Sequence, residues 1–99
     1  TIEIRQTKVY QKWFAKLQDR QARARIDVRI RRLSLGNPGD VRQEGEGISD
    51  LRNDYGIGYR IYYVQRGQQV VVLLTGGDKD SQDRDIQTAK DLACGLKEP

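Results

Sequence analysis

The spacing of apolar positions changes along this 99-residue chain, and each change predicts an element. Ile2 and Ile4 alternate with Glu3 and Arg5, the pattern of a short half-buried strand. Thr7 is suited to cap a helix. Tyr10, Trp13, Phe14 and Leu17 then recur at i, i+3, i+4 and i+7, one apolar stripe with Trp13 and Phe14 expected in the core. Lys8, Lys12 and Lys16 mark the outer face. A break falls at Gln18-Asp19-Arg20, with Asp19 as the next N-cap. The second helix runs to about Leu35 on a stripe of Ala22, Ile26, Ile30 and Leu33, with Ala24 and Val28 on another side. Gly36-Asn37-Pro38-Gly39 suits its C-cap and turn, so the two segments read as an antiparallel helical hairpin.

Residues 36–47 hold four glycines and a proline and read as a loop, with a short strand near Val41–Gln43 as its one candidate for regular structure. The period then shortens. Ile48–Asn53 is a modest strand, and Tyr59–Val64 a stronger one, rich in aromatic and β-branched residues. Gln65-Arg66-Gly67-Gln68 is a hairpin connection. Val70–Leu74 is continuously apolar, which predicts a central strand covered on both faces. Gly76 and Gly77 read as a bend or turn after it. A last helix spans roughly Ser81–Leu96 on Ile86, Ala89, Ala93 and Leu96. Asp80, Asp83 and Asp85 lie near its positive end and Lys90 and Lys97 toward the other, with Gly95 fraying the terminus. The expected class is α+β in the order β-α-α-β-β-β-α: a small, mainly antiparallel twisted sheet carrying the helices. Residues 1–99 form one domain, the size that a chain of this length supports.

Charge adds a partner class. Residues 1–35 hold ten Lys/Arg against three Asp/Glu, a net +7, while the remainder is −3. A basic half in a chain of pI ≈ 9.4 suits a polyanion such as nucleic acid or the ribosome, and equally a solvated helix face. The absence of histidine removes histidine ligands and histidine acid–base catalysis, and the single Cys94 removes an internal disulfide and a cysteine metal site. No metal site or cofactor is expected. No apolar run approaches the roughly 20 residues of a membrane span, and no signal-peptide pattern opens the chain. A cytoplasmic protein without membrane contact is the expectation.

Chemistry concentrates in Gly58-Tyr59-Arg60-Ile61-Tyr62-Tyr63 and Gly76-Gly77-Asp78-Lys79-Asp80-Ser81-Gln82-Asp83. They place an arginine on one strand and a lysine after the next, where both can face one anionic substrate. An arginine fork suits phosphate because it donates two parallel hydrogen bonds. A strand arginine paired to a surface carboxylate is the competing reading for Arg60, and a solvated loop lysine for Lys79. Arg52 shares a strand face with Asp50, so an ion pair between them competes with a phosphate contact. Tyr62 alternates with Arg60 and is expected on the same face, to stack on a base or to pack in the core.

These two segments resemble the RelE/ParE superfamily of bacterial toxins, and within it the phage-derived addiction-module killer proteins often called HigB-like. There a G-Y-R-hydrophobic-Y-Y strand and a G-G-D-K-x-x-Q-D segment are typical. The element order is that of the superfamily, so the resemblance implies a RelE-like fold. It also implies the toxin of a type II toxin–antitoxin module, a metal-independent endoribonuclease acting on mRNA at the ribosome. Arg60, Lys79 and Arg52 take the catalytic positions, and Tyr62 and Gln82 substrate contacts. Asp78 could orient Lys79 or Arg60, or cap the last helix. The implied partners are a cognate antitoxin of helix-turn-helix type, in a hetero-oligomer, and mRNA with the ribosome. Several superfamily members rely on a histidine or a terminal tyrosine, and this chain has neither after Tyr63, which leaves the general acid and base open. Two other readings stand beside this one: a ParE-like, non-enzymatic inhibitor of DNA gyrase, and a basic RNA- or protein-binding module without toxicity.

Overall fold

The computed structural model describes residues 1–53 and 56–96. Lys97, expected near the end of the last helix, lies outside them. The elements are β1 (Glu3–Gln6), α1 (Lys8–Lys16), α2 (Arg20–Ser34), β2 (Val41–Gly45), β3 (Ile48–Asn53), β4 (Tyr59–Arg66) and β5 (Val70–Asp78). A 3-10 turn over Lys79–Ser81 then leads into α3 (Gln82–Cys94). The expected order is present with one strand added. β2 occupies the place of the candidate near Val41–Gln43 and reaches Gly45. Its hairpin to β3 turns through Glu46 and Gly47, both at positive φ (54° and 80°). That is the combination a tight right-twisting hairpin needs, made with Glu-Gly in place of the usual Asn-Gly.

The helix starts follow the capping residues. Thr7 Oγ1 accepts from Tyr10 N at 3.1 Å, and Asp19 Oδ1 accepts from Gln21 N and Ala22 N at 3.0 and 3.2 Å. Thr7 also donates its hydroxyl to the Leu74 carbonyl at 2.6 Å, fixing the entry of α1 onto β5.

One five-stranded sheet has the order β1-β5-β4-β3-β2. β1 runs parallel to β5, and every other neighbouring pair is antiparallel. β5 therefore lies between two strands, and both its faces are covered, as its unbroken apolar run requires. On one face Tyr10, Ile26 and Leu33 of the first two helices meet Leu51, Ile61, Tyr63, Val71 and Leu73. Trp13 and Phe14 are half-buried there rather than enclosed: Phe14 stacks on Tyr10 at 5.9 Å and carries the Arg23 guanidinium 4.9 Å above its ring. On the other face Ala89, with Ile86, Leu92 and Ala93 of α3, covers Ile48, Tyr62, Val64, Val72 and Leu74.

The bend expected at Gly76 and Gly77 is not there. Both are strand residues of β5, and neither has a positive φ. Their reason is close approach. A Cβ on Gly76 would stand 2.4 Å from the Trp13 ring, and one on Gly77 would stand 1.9 Å from Asp85 Oδ2. Both faces of β5 at this end thus need a residue without a side chain. Among the described residues no helix is long and apolar enough to cross a membrane, and no cluster of metal-binding side chains occurs.

Candidate functional site

Register decides which side chains meet. Across β3 and β4, Arg52 faces Arg60 and Asp50 faces Tyr62. Alternation along β4 sends Arg60 to the same side as Tyr62 and Val64, the face covered by α3. Directly opposed Cβ atoms stand roughly 4.5–5.5 Å apart, so the two arginines leave the sheet side by side, an arrangement that like charges disfavour.

What surrounds them is mostly buried. Asp50 is fully enclosed and Arg60 is 8 % exposed. Arg52 Nε donates to Asp50 Oδ1 at 3.1 Å. Arg60 Nη1 donates to the Gly58 carbonyl at 3.3 Å. Four buried polar atoms of this cluster make no hydrogen bond: Asp50 Oδ2, Arg52 Nη2, Arg60 Nε and the Tyr62 hydroxyl. Native proteins pair nearly all such atoms, so a cluster of unpaired ones on two neighbouring strands asks for a functional reason. Burial pushes the Asp50 carboxyl above the ordinary carboxylate range, against the opposing pull of Arg52, and Glu44 adds to the rise. Burial likewise pushes the Tyr62 phenol up, helped by Asp50 and Asp85 and opposed by Arg60.

Lys79 reaches the same end of the sheet from the 3-10 turn that follows β5. A methyl group placed on Gly58 would stand 3.5 Å from Arg60 Nη1 and 3.6 Å from Lys79 Cδ. The guanidinium and the lysine stem therefore flank one glycine, itself held at φ +79°. Only glycine takes that conformation readily and leaves that gap. Asp78 caps the turn, accepting from Asp80 N at 2.9 Å and Ser81 N at 3.1 Å. Gln82 opens α3, half-buried, one turn beyond Lys79.

Of the residues singled out from the sequence, the fold thus brings Arg52, Arg60 and Lys79 together at one end, with Gln82 one helical turn away. Of the two readings of Tyr62, core packing holds and the base contact is corrected. The residue is 0 % exposed beneath α3, so neither ring face is open to a base. The alternation that sends it to the face of Arg60 also sends it under the last helix. Asp50 meets Arg52 as an ion pair, and Arg52 still keeps an unpaired N–H. Sequence reasoning gave no role in the site to Asp85 or Ser81. The Asp85 carboxylate accepts from the Ser81 hydroxyl and packs over Gly77 behind the cations. The i, i+4 spacing of Ser81 and Asp85 at a helix start was the available signal. A cavity of about 570 Å³ opens elsewhere, along α2 beside Arg25, Val28 and Arg29. It holds none of the three cations, although Arg29 Nη1 donates to the Arg52 carbonyl and so ties α2 to β3.

Chemically the site sets an exposed ammonium beside two largely buried guanidiniums, positive charge suited to one anion at a partly dehydrated wall. Such groups stabilise charge far better there than in water. A family model described as phage derived protein Gp49-like (DUF891) matches residues 12–93, which include every residue of the site. A protein of Haemophilus influenzae described only as uncharacterized is 46 % identical over 96 residues, 97 % of each chain. The family and the α+β architecture agree in broad terms with the RelE/ParE resemblance. With a model match over most of its length and a relative this similar end to end, the chain belongs to the phage-derived Gp49-like family.

Proposed function

We propose that this protein is the toxin of a type II toxin–antitoxin module, a HigB-like member of the RelE/ParE superfamily with a RelE-like fold, and that it cleaves mRNA within the translating ribosome. The observation that carries the reading is the convergence of Arg52, Arg60 and Lys79 from three different elements on one end of the sheet, with Arg52 Nη2 and Arg60 Nε unpaired. Family membership supports the toxin class. The protein works in the cytoplasm and is held inactive in a hetero-oligomer with a cognate antitoxin of helix-turn-helix type.

In metal-free RNA cleavage the ribose 2′-oxygen, giving its proton to a base, bonds to the adjacent phosphorus; the P–O5′ bond breaks, and the 5′ oxygen leaves with a proton, so a 2′,3′-cyclic phosphate remains. The charge that grows on the phosphorane is what the cations meet: the exposed Lys79 ammonium approaches it from the open side, and the largely buried Arg60 and Arg52 guanidiniums hold positive charge behind it. Gln82 contacts the nucleotide beside it. The chain has no histidine, so proton transfer falls to Lys79 or to groups of the ribosome. Removing a donor that acts on transition-state charge typically costs ~10²–10³ in rate.

The experiment is induced expression followed by primer extension on cellular mRNA, with gyrase supercoiling measured in parallel. Cleavage within codons that disappears in Arg60→Ala and Lys79→Ala, with the fold and antitoxin binding retained, is the expected result. Lys79→Arg separates the two roles of the lysine, because arginine restores charge and not proton transfer. Intact mRNA with inhibited supercoiling selects the gyrase reading instead. Growth arrest that survives both alanine substitutions removes these residues from the active site.

A further inference from the structure

The buried carboxylate behind the arginines has no place in the chemistry above, and its geometry is unusual. An aspartate–arginine pair that serves only the fold gains most from a two-pronged contact, in which both carboxylate oxygens are satisfied. Here a single Nε–Oδ1 contact is made at 3.1 Å, while Asp50 Oδ2 and Arg52 Nη2 both stay unpaired. Asp50 is wholly enclosed, so it does not touch a substrate. It lies on the same sheet face as the directly opposed arginine pair, next to one and diagonal to the other. Two cations so placed repel each other unless an anion stands close to both.

We propose that Asp50 is a positioning residue of this site: its carboxylate anchors Arg52 through Nε and screens it from Arg60, so that both guanidiniums lie abreast and direct their positive charge at one phosphodiester. The inference rests on the proposed RNA cleavage for its consequences, but not for the anchoring itself. The groups that face Asp50 are Arg52 on its own strand, Arg42 and Glu44 of β2, Arg60 and Tyr62 of β4, and beyond Tyr62 the Asp85 carboxylate of α3. Arg42 leans outward, 64 % exposed and 3.5 Å from Glu44, which leaves Arg52 as the cation Asp50 holds.

Asp50→Asn keeps the size of the side chain and deletes its charge. The site then gains a net positive charge, so anion binding holds or tightens, while Arg52 loses its anchor. A misplacement of about 1 Å at a reacting centre costs on the order of 10²-fold in rate. The test uses the full chain and ribosomes programmed with a defined mRNA. Cleavage is timed on the natural message, and affinity is measured on the same message with a 2′-deoxy nucleotide at the scissile position. The expected outcome for Asp50→Asn is unchanged or tighter affinity with cleavage slowed about 100-fold. Asp50→Glu, which keeps the charge and shifts it by one methylene, recovers part of the rate. The wild-type rate falls as Asp50 takes a proton at low pH, and the Asn variant lacks that limb.

Unchanged cleavage in Asp50→Asn overturns the proposal, and so does a loss of affinity in proportion to rate, which is what a merely structural role gives. A separate readout needs no activity: the Arg52 Nε–H gives a slowly exchanging NMR signal in the wild type that shifts and exchanges faster in Asp50→Asn, whose amide oxygen accepts without charge, or shifts in Asp50→Glu should the Asn variant not fold. A signal that survives unchanged refutes the anchoring. A wild type that does not cleave at all rejects the proposed function and leaves the NMR result to decide Asp50.

Discussion

Tyr62→Phe is expected to stabilise this protein, against the usual direction for a core substitution. The Tyr62 ring is fully enclosed and its hydroxyl makes no hydrogen bond. Burying such a hydroxyl costs about 1–3 kcal/mol in protein mutational data, because the water contacts it gave up are not replaced. Phenylalanine fills the same space less one oxygen, so nearly all that cost is recovered. The next residue is the control. Tyr63 is also buried, but its hydroxyl is not among the unpaired atoms, and its cross-strand neighbour Ser49 offers a polar group. Tyr63→Phe removes a hydroxyl that has polar surroundings and is expected to lose about 0.5–1.5 kcal/mol. In a domain of this size each kcal/mol moves Tm by roughly 4–8 °C. Urea unfolding at pH 7, followed by the fluorescence of the single tryptophan, Trp13, measures both variants.

Alkali gives a second test of Tyr62, with a defined sign. The folded Tyr62 phenol is raised above its ordinary value of 10.0, so the native state keeps a proton that the unfolded chain releases. Stability is full below pH 10 and falls as pH rises beyond it. Tyr62→Phe removes its share of that fall. A Tyr62→Phe variant destabilised as much as Tyr63→Phe would show that the hydroxyl is bonded in solution, and the account of the unpaired cluster would fail with it.

Gly77→Ala should cost about 1–3 kcal/mol by overpacking, since its Cβ would stand 1.9 Å from Asp85 Oδ2 and 2.8 Å from Ser81 Oγ. Adding Asp85→Ala should recover much of that loss in the double mutant, and additive losses in thermal melts would mean the clash is not the cause. Asp50, whose folded carboxyl is raised above the ordinary 3.8, destabilises the protein when ionised. The stability of the wild type relative to Asp50→Asn should therefore be greatest below pH 4 and fall as pH rises through the raised value, in melts run across that range. A difference that grows with pH would reverse the assignment of burial over Arg52 as the dominant influence.

The elements of this protein were legible in its sequence because each rests on local rules. The Thr7 and Asp19 caps, the stripes of α1 and α2, and the unbroken run of β5 depend on residues a few positions apart. The Arg60 and Lys79 candidates came from their motifs, and the fold sets both beside Gly58. What the sequence left open depends on register and on layers. The turn at Glu46–Gly47 lacks the usual residues, so β2 reached further than its pattern suggested. Gly76 and Gly77 look like a bend in one dimension, and only the approach of Trp13 from one face and Asp85 from the other shows why a straight strand needs them. Tyr62 shares a strand face with Arg60, which alternation alone fixes. That this face is roofed by α3, so that the tyrosine and Asp50 are sealed in while Lys79 remains open, is set by how the last helix packs. Local preference chose the elements. The pairing of strands residues apart in sequence, and the exclusion of water by a third layer, decided which of their polar groups became a site.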